Sequence, residues 1–153
     1  MNLPMASIVL RTAASTDVPA LASLSGELGY ETTTDALASR LSLVAGQRDQ
    51  IVLVACVGDM VVGWIHGAEE VLLEDDRRCE IRGLVVSRAY RRQQIGQHLV
   101  AALERWATAR GLAMVSVRSN VARDAAHPFY EALGYRRTKT QHVYRKALGG
   151  TSG

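Results

Sequence analysis

The stretch from residue 79 to residue 118 constrains the fold of this chain more than any other. A β-branched run, Glu80-Ile81-Arg82-Gly83-Leu84-Val85-Val86, enters an arginine-rich turn, Ser87-Arg88-Ala89-Tyr90-Arg91-Arg92. Ile95, Leu99, Leu103 and Trp106 then recur at helical spacing, Gly111 closes that helix, and residues 112–118 return to strand composition. Strand, long amphipathic helix and strand make a crossover unit. Following a hairpin-rich first half, such a unit implies a mixed sheet with helices on both faces.

The remaining elements fit around this unit. Residues 8–11 read as a first strand. Ser15 or Thr16 caps a helix with Pro19 in its first turn and Val18, Leu21, Leu24 and Leu28 on one side. Thr34 caps a second helix, with Leu37, Leu41 and Val44 aligned and Gly46 at its end. Residues 50–57 and 60–68 are β-branched runs joined by Gly58-Asp59, the chemistry of a tight hairpin. The acidic residues Glu69, Glu70, Glu74, Asp75 and Asp76 form a loop before a fourth strand over 79–87. A short helix around Ala126, Phe129, Tyr130 and Leu133 follows the fifth strand, and two terminal strands over 135–138 and 142–148 complete the order. The expectation is one domain over residues 1–148, with 149–153 as a flexible tail.

The chain has 153 residues and a formal net charge of +3, and sixteen of its eighteen basic residues are arginine. Nucleic-acid binding would need a continuous basic face with aromatic platforms, yet aromatics make up only 5%. Arg88, Arg91 and Arg92 instead cluster at one strand–helix junction. No apolar run approaches the ~20 residues of a membrane-spanning helix, and residues 1–7 lack a signal peptide's apolar stretch. A cytoplasmic protein with no nucleic-acid or membrane partner is expected. Cys56 and Cys79 read as small buried hydrophobes, and the four histidines show no metal-ligand spacing, so no metal is expected.

A strand–loop–helix junction offers unpaired backbone N–H groups and the positive end of a helix dipole, and arginines at its edge add charge. It suits a pyrophosphate. Neither G-x-x-x-x-G-K-S/T nor G-x-G-x-x-G occurs, so a P-loop and a Rossmann fingerprint are both excluded.

At this junction the chain resembles the GNAT superfamily of N-acetyltransferases. Arg91-Arg92-Gln93-Gln94-Ile95-Gly96 is similar to that family's Q/R-x-x-G-x-G/A motif, with Gln94 in place of the first glycine. Ser119-Asn120 and then Ala126-His127-Pro128-Phe129-Tyr130-Glu131-Ala132-Leu133-Gly134-Tyr135 look like its downstream N…A…FY…LGF/Y signature. The resemblance implies a GNAT fold of the α/β (α+β) type. Its central sheet would be mixed and mostly antiparallel, with about seven strands and four helices, splayed between strands four and five.

It further implies an acetyl-CoA-dependent N-acetyltransferase acting on a primary amine of a small molecule or peptide by direct attack. Acetyl-CoA would be a co-substrate. Arg91, Arg92, Gln93, Gln94, Ile95, Gly96 and Gln97 would hold the pyrophosphate. The backbone of Leu84, Val85 and Val86 would pair with the pantetheine arm, much as an added strand does. Asn120 would hydrogen-bond the same ligand. The backbone N–H of Leu84 or Val85 would polarise the thioester carbonyl. Homodimers are common among such assemblies, and one is compatible here.

An alkyl ammonium must lose a proton before it attacks a thioester. Glu80 is the candidate base, directly or through water, and strand alternation puts it on one face with Arg82, Leu84 and Val86 unless a bulge intervenes. The alternative is a solvated or Arg82-paired glutamate, and a nearby Arg82 would weaken it as a base. Tyr130 is the candidate acid for the departing thiolate, or else a core tyrosine. A non-catalytic acyl-CoA sensor or interaction domain is the competing function. His66, in the third strand, reads as structural or as facing the cleft.

Overall fold

The computed structural model describes residues 8–91, 94–118 and 126–149, and the side chains of these except 126 and 127. The chain divides into two compact units, Met1–Arg118 and Ser119–Gly153.

The first unit carries the sheet. Strand β1 spans Ile8–Thr12, β2 Gln50–Val57, β3 Met60–Leu72, β4 Asp75–Val86 and β5 Val115–Val117. Their spatial order is β1-β2-β3-β4-β5, antiparallel at every step except the parallel β4–β5 pair. The crossover between β4 and β5 is helix α3, Ile95–Ala109. Its stripe of Ile95, Leu99 and Leu103 is fully buried. Two glycines of β3 make room for it. A methyl at Gly63 would lie 3.2 Å from Leu99 and 3.3 Å from Ile95, and one at Gly67 would run into Leu103. α3 therefore sits close against β3, which fixes where its N-terminus emerges beside the end of β4.

Helices α1 (Val18–Glu27) and α2 (Thr34–Ala45) precede the β2–β3 hairpin. They cover the other face, where Leu21 of α1, Val54 and Cys56 form a core cluster joined by Leu37, Leu41 and Trp64. The Gly58-Asp59 turn closes that hairpin as expected, with Gly58 at φ +60°. The caps differ from the sequence reading. Thr33, one residue earlier than Thr34, caps α2 by accepting the Ala36 N–H at 3.0 Å. Ser15 and Thr16 lie in a 3-10 turn, and Asp17 secures the start of α1 by reaching back to the Ala14 N–H (2.7 Å) and forking onto Arg11 (2.7 and 2.8 Å).

The acidic segment is not a loop. β3 runs on to Leu72 and β4 begins at Asp75, leaving only Leu73-Glu74 as the turn. Arginines on the facing strand and just after α3 meet its first carboxylate. Glu69 pairs with Arg77 and, at 3.0 Å, with Arg110, and Asp75 pairs with Arg78 at 3.2 Å. Cys56 and Cys79 are buried, unbridged thiols, and burial pushes the Cys79 thiol up to about 11.

In the second unit, α4 (Ala126–Ala132) ends at Gly134, whose φ of +92° lets the Tyr135 N–H fold back onto the Tyr130 carbonyl at 3.0 Å. The seven strands expected become five. Residues 135–148 form no strand, because strand-like composition alone supplies no partner ladder. Val143, Tyr144 and Leu148 stay exposed, so their pattern buries nothing. Among the described residues no helix is long and apolar enough to cross a membrane.

Candidate active site

The candidate site starts where β4 outruns β5. Their ladder pairs Cys79 with Val115, Glu80 with Ser116 and Ile81 with Val117, and it stops there while β4 continues to Val86. On the edge away from β3, backbone polar groups of β4 from Arg82 onward thus border an opening with no strand paired to them among the described residues. An extended ligand with amide groups of its own can take the place of the missing strand.

The opening leads to the N-terminus of α3. Its first intrahelical bond runs from the His98 N–H to the Gln94 carbonyl at 3.0 Å. The N–H groups of Ile95, Gly96 and Gln97 therefore point out of the helix end without intrahelical acceptors. Gln94 precedes them with φ 63° and ψ 20°, the left-handed region that glycine adopts most readily. Arg91 is exposed at the rim, and the turn before it folds from Ser87, whose N–H bonds the Val62 carbonyl at 2.8 Å. One link ties this turn to the other face: Glu27, at the end of α1, accepts the Arg88 N–H at 3.0 Å. An anion fits this cradle by both dipole and charge.

On the face covered by α1 and α2, a bulge changes the strand reading. His66 pairs with Gly83 but the next residue, Gly67, pairs with Ile81, so Arg82 is the extra residue. Beyond it the alternation reverses. Leu84 and Val86 stand opposite Ile65 and Gly63, on the α3 side. Glu80 and Arg82 share their face with Gly83 and Val85, not with Leu84 and Val86.

Glu80 is mostly buried, 12% exposed, and two arginines engage it: Arg82 at 3.3 Å and Arg118 at 3.6 Å. The Arg82 pairing foreseen as the alternative is present, and Arg118 was not foreseen. The same face holds His66, whose Nε2 lies 2.8 Å from Gln50 Oε1. Burial, and then the charge of Arg82, pull the His66 imidazole below its ordinary value. Trp64 lies over Gly83, and its buried indole N–H has no hydrogen-bond partner among the described residues.

Residues 20–135 match the model of the acetyltransferase (GNAT) family. The chain belongs to the GNAT acetyltransferase family. A search of curated proteins finds no match. Among solved structures, the GNAT chain is similar to a transcriptional regulator from Bacillus halodurans C-125, with a TM-score of 0.81, 21% identity, and 91% of this chain and 99% of that one covered. It is also similar to the aminoglycoside N-acetyltransferase AAC(6')-Iy in complex with CoA, at a TM-score of 0.81 and 18% identity, covering 91% and 94%. The aminoglycoside 6'-N-acetyltransferase AAC(6')-Ih from Acinetobacter baumannii matches at a TM-score of 0.80 and 17% identity, covering 93% and 99%. At these identities the likeness is one of fold.

Within the GNAT fold, Leu84, Val85, Val86, Arg91, Gln94, Ile95, Gly96 and Gln97 come together along the β4 edge and the α3 end. Arg92, Gln93 and Asn120 lie outside the described residues. Tyr130 belongs to the second unit, where its ring meets Phe129 and Tyr135 edge-on at 5.0 and 5.8 Å. Among the described residues, no group of three or more His, Cys, Asp or Glu is placed to hold a metal ion. Sequence reasoning missed the Gln50–His66 bond, the Arg118–Glu80 pair and the Glu27–Arg88 link. Each joins positions far apart in the chain, and no local pattern marks them.

Proposed function

We propose that this protein transfers the acetyl group of acetyl-CoA to a primary amine of a small molecule or peptide by direct attack. The observation that carries the reading is the continuity of the open β4 edge, from Arg82 to Val86, with the three outward N–H groups of α3. Together they suit an amide-bearing arm that ends in a diphosphate. The likeness to aminoglycoside acetyltransferases supports an amine acceptor, and aminoglycosides belong first in any substrate panel.

The co-substrate supplies a thioester carbonyl, and the protein's residues do the rest. The N–H groups of Ile95, Gly96 and Gln97, with Arg91, Arg92, Gln93 and Gln94, bind the diphosphate. The backbone of Leu84, Val85 and Val86 binds the arm, and an N–H of Leu84 or Val85 polarises the carbonyl. Asn120 adds a hydrogen bond. Glu80 draws in the ammonium and takes its proton, directly or through water. Tyr130 gives a proton to the departing thiolate, a role suggested by its place in the downstream motif.

Thiol release on mixing acetyl-CoA with panels of aminoglycosides, polyamines, amino acids and peptides tests this directly. Release with at least one amine, matched by acetylated product, is expected. The second reading is an acyl-CoA sensor, favoured by Gln94 standing in a left-handed position where the family motif has glycine. Coenzyme A binding without acetylation of any amine would select it.

A further inference from the structure

His66 stands on the same face of the sheet as Glu80, yet the reaction above leaves it unused. On β3 it pairs with Gly83, which has no side chain to cover the imidazole, and the bulged Arg82 beside it is the β4 side chain on that face. Gln50 on β2 orients the ring: its Oε1 accepts the Nε2–H at 2.8 Å. A neutral imidazole that donates from Nε2 keeps its lone pair on Nδ1. That nitrogen has no hydrogen-bond partner among the described residues.

The charges around it are accounted for. Arg82, the bulged residue of β4, is the charged group that acts on the ring, and with burial it keeps the ring neutral near pH 7. Glu80 lies on this face too, already engaged by Arg82 and Arg118. On the helices that cover the face, Glu27 is bonded to the Arg88 N–H and Arg40 to the Thr32 hydroxyl, while Asp35 sits exposed in the first turn of α2. A carboxylate held by two guanidinium groups attracts an ammonium, but its lone pairs are partly committed. A neutral imidazole is better placed to receive a proton.

We propose that His66 is a second proton acceptor of this site, taking onto Nδ1, by way of Glu80, the proton that the acceptor ammonium sheds. The ammonium N–H bond breaks and an Nδ1–H bond forms, leaving an imidazolium and an amine lone pair. That pair forms the C–N bond as the C–S bond breaks. The second proton, lost by the acylated nitrogen, ends on the thiolate, and the imidazolium returns its own to solvent. The inference rests on the acetyl-transfer reading and refines its first proton transfer.

The test is His66→Gln in the full chain, assayed by thiol release with an amine the wild type acetylates, from about pH 5 to about pH 9, a range that brackets histidine titration. The expected result is a kcat at least about tenfold lower at pH 7 and loss of the wild-type acid limb, with coenzyme A affinity unchanged. A merely structural histidine would not move that limb. Gln50→Leu is the second variant, since it removes the acceptor that fixes the tautomer; it should lower kcat less and shift the same limb. If either variant folds and keeps the wild-type kcat and profile, the inference is overturned. Failure of the wild type to release thiol with every amine overturns the acetyl-transfer reading instead.

Discussion

Gly83 and Trp64 pack as backbone against ring: a methyl group at Gly83 would lie 2.7 Å from Cζ3 and 2.8 Å from Cη2 of the indole. Both distances are below van der Waals contact, and the ring packs against the core cluster of Leu21, Val54 and Cys56. The ring cannot retreat freely. Gly83→Ala should therefore cost about 1–3 kcal/mol, the range for overpacking a well-filled site. Phenylalanine lacks the outer ring that meets Gly83, so Trp64→Phe in the Gly83→Ala background should restore part of the loss. Urea midpoints of the two single variants and the double variant measure the coupling.

Gln94 occupies left-handed backbone with φ 63°, and its side chain makes no capping hydrogen bond. Such a conformation costs a non-glycine residue roughly 1–2 kcal/mol. Gln94→Gly should raise stability by about 1 kcal/mol and should not weaken coenzyme A binding. A stability equal to or below that of the wild type would show that the glutamine side chain repays the strain.

Two substitutions separate chemistry from cofactor binding under the acetyl-transfer reading. Glu80→Gln and Tyr130→Phe should each lower kcat by about 10²–10⁴-fold, the usual contribution of a positioned acid or base. Calorimetric affinity for coenzyme A should stay within about twofold. Full turnover in either variant removes the role assigned to that residue.

Acid should destabilise the first unit through its paired carboxylates. The Arg11 guanidinium, bonded to Asp17, holds that carboxyl below the usual carboxylate range, and Arg110 followed by Arg77 does the same for Glu69. A depressed folded value means that the unfolded chain binds the proton more readily. The stabilisation is thus complete well above the unfolded values of about 4 and is lost as pH falls through the folded ones. Asp17→Asn should lower stability at pH 7 and flatten its fall between about pH 5 and about pH 2. An unchanged slope in thermal midpoint against pH would contradict the pairing.

How far the sequence can be read depends on how local each feature is. Helix α3 was legible because Ile95, Leu99 and Leu103 lie on one side of any helix built from that sequence, and Gly111 must end it. The β2–β3 turn was legible because Gly58-Asp59 suits a positive φ. The cradle was legible for the same reason: a helix N-terminus exposes its N–H groups whatever packs around it.

Tertiary structure decided everything that depended on pairing. The bulge at Arg82 exists only because β3 selects the register of β4, and one extra residue moves Leu84 and Val86 to the opposite face from Glu80. The acidic segment became strand where Arg77 of the facing strand and Arg110 were brought to the Glu69 carboxylate. Residues 142–148, read as a terminal strand, remained without a ladder, since composition cannot supply the hydrogen-bonding edge a strand requires. His66 gained its orientation from Gln50, sixteen residues away on the neighbouring strand. Local sterics and periodicity act within a few residues and are written in the chain, whereas register and charge pairing arise only when distant strands meet.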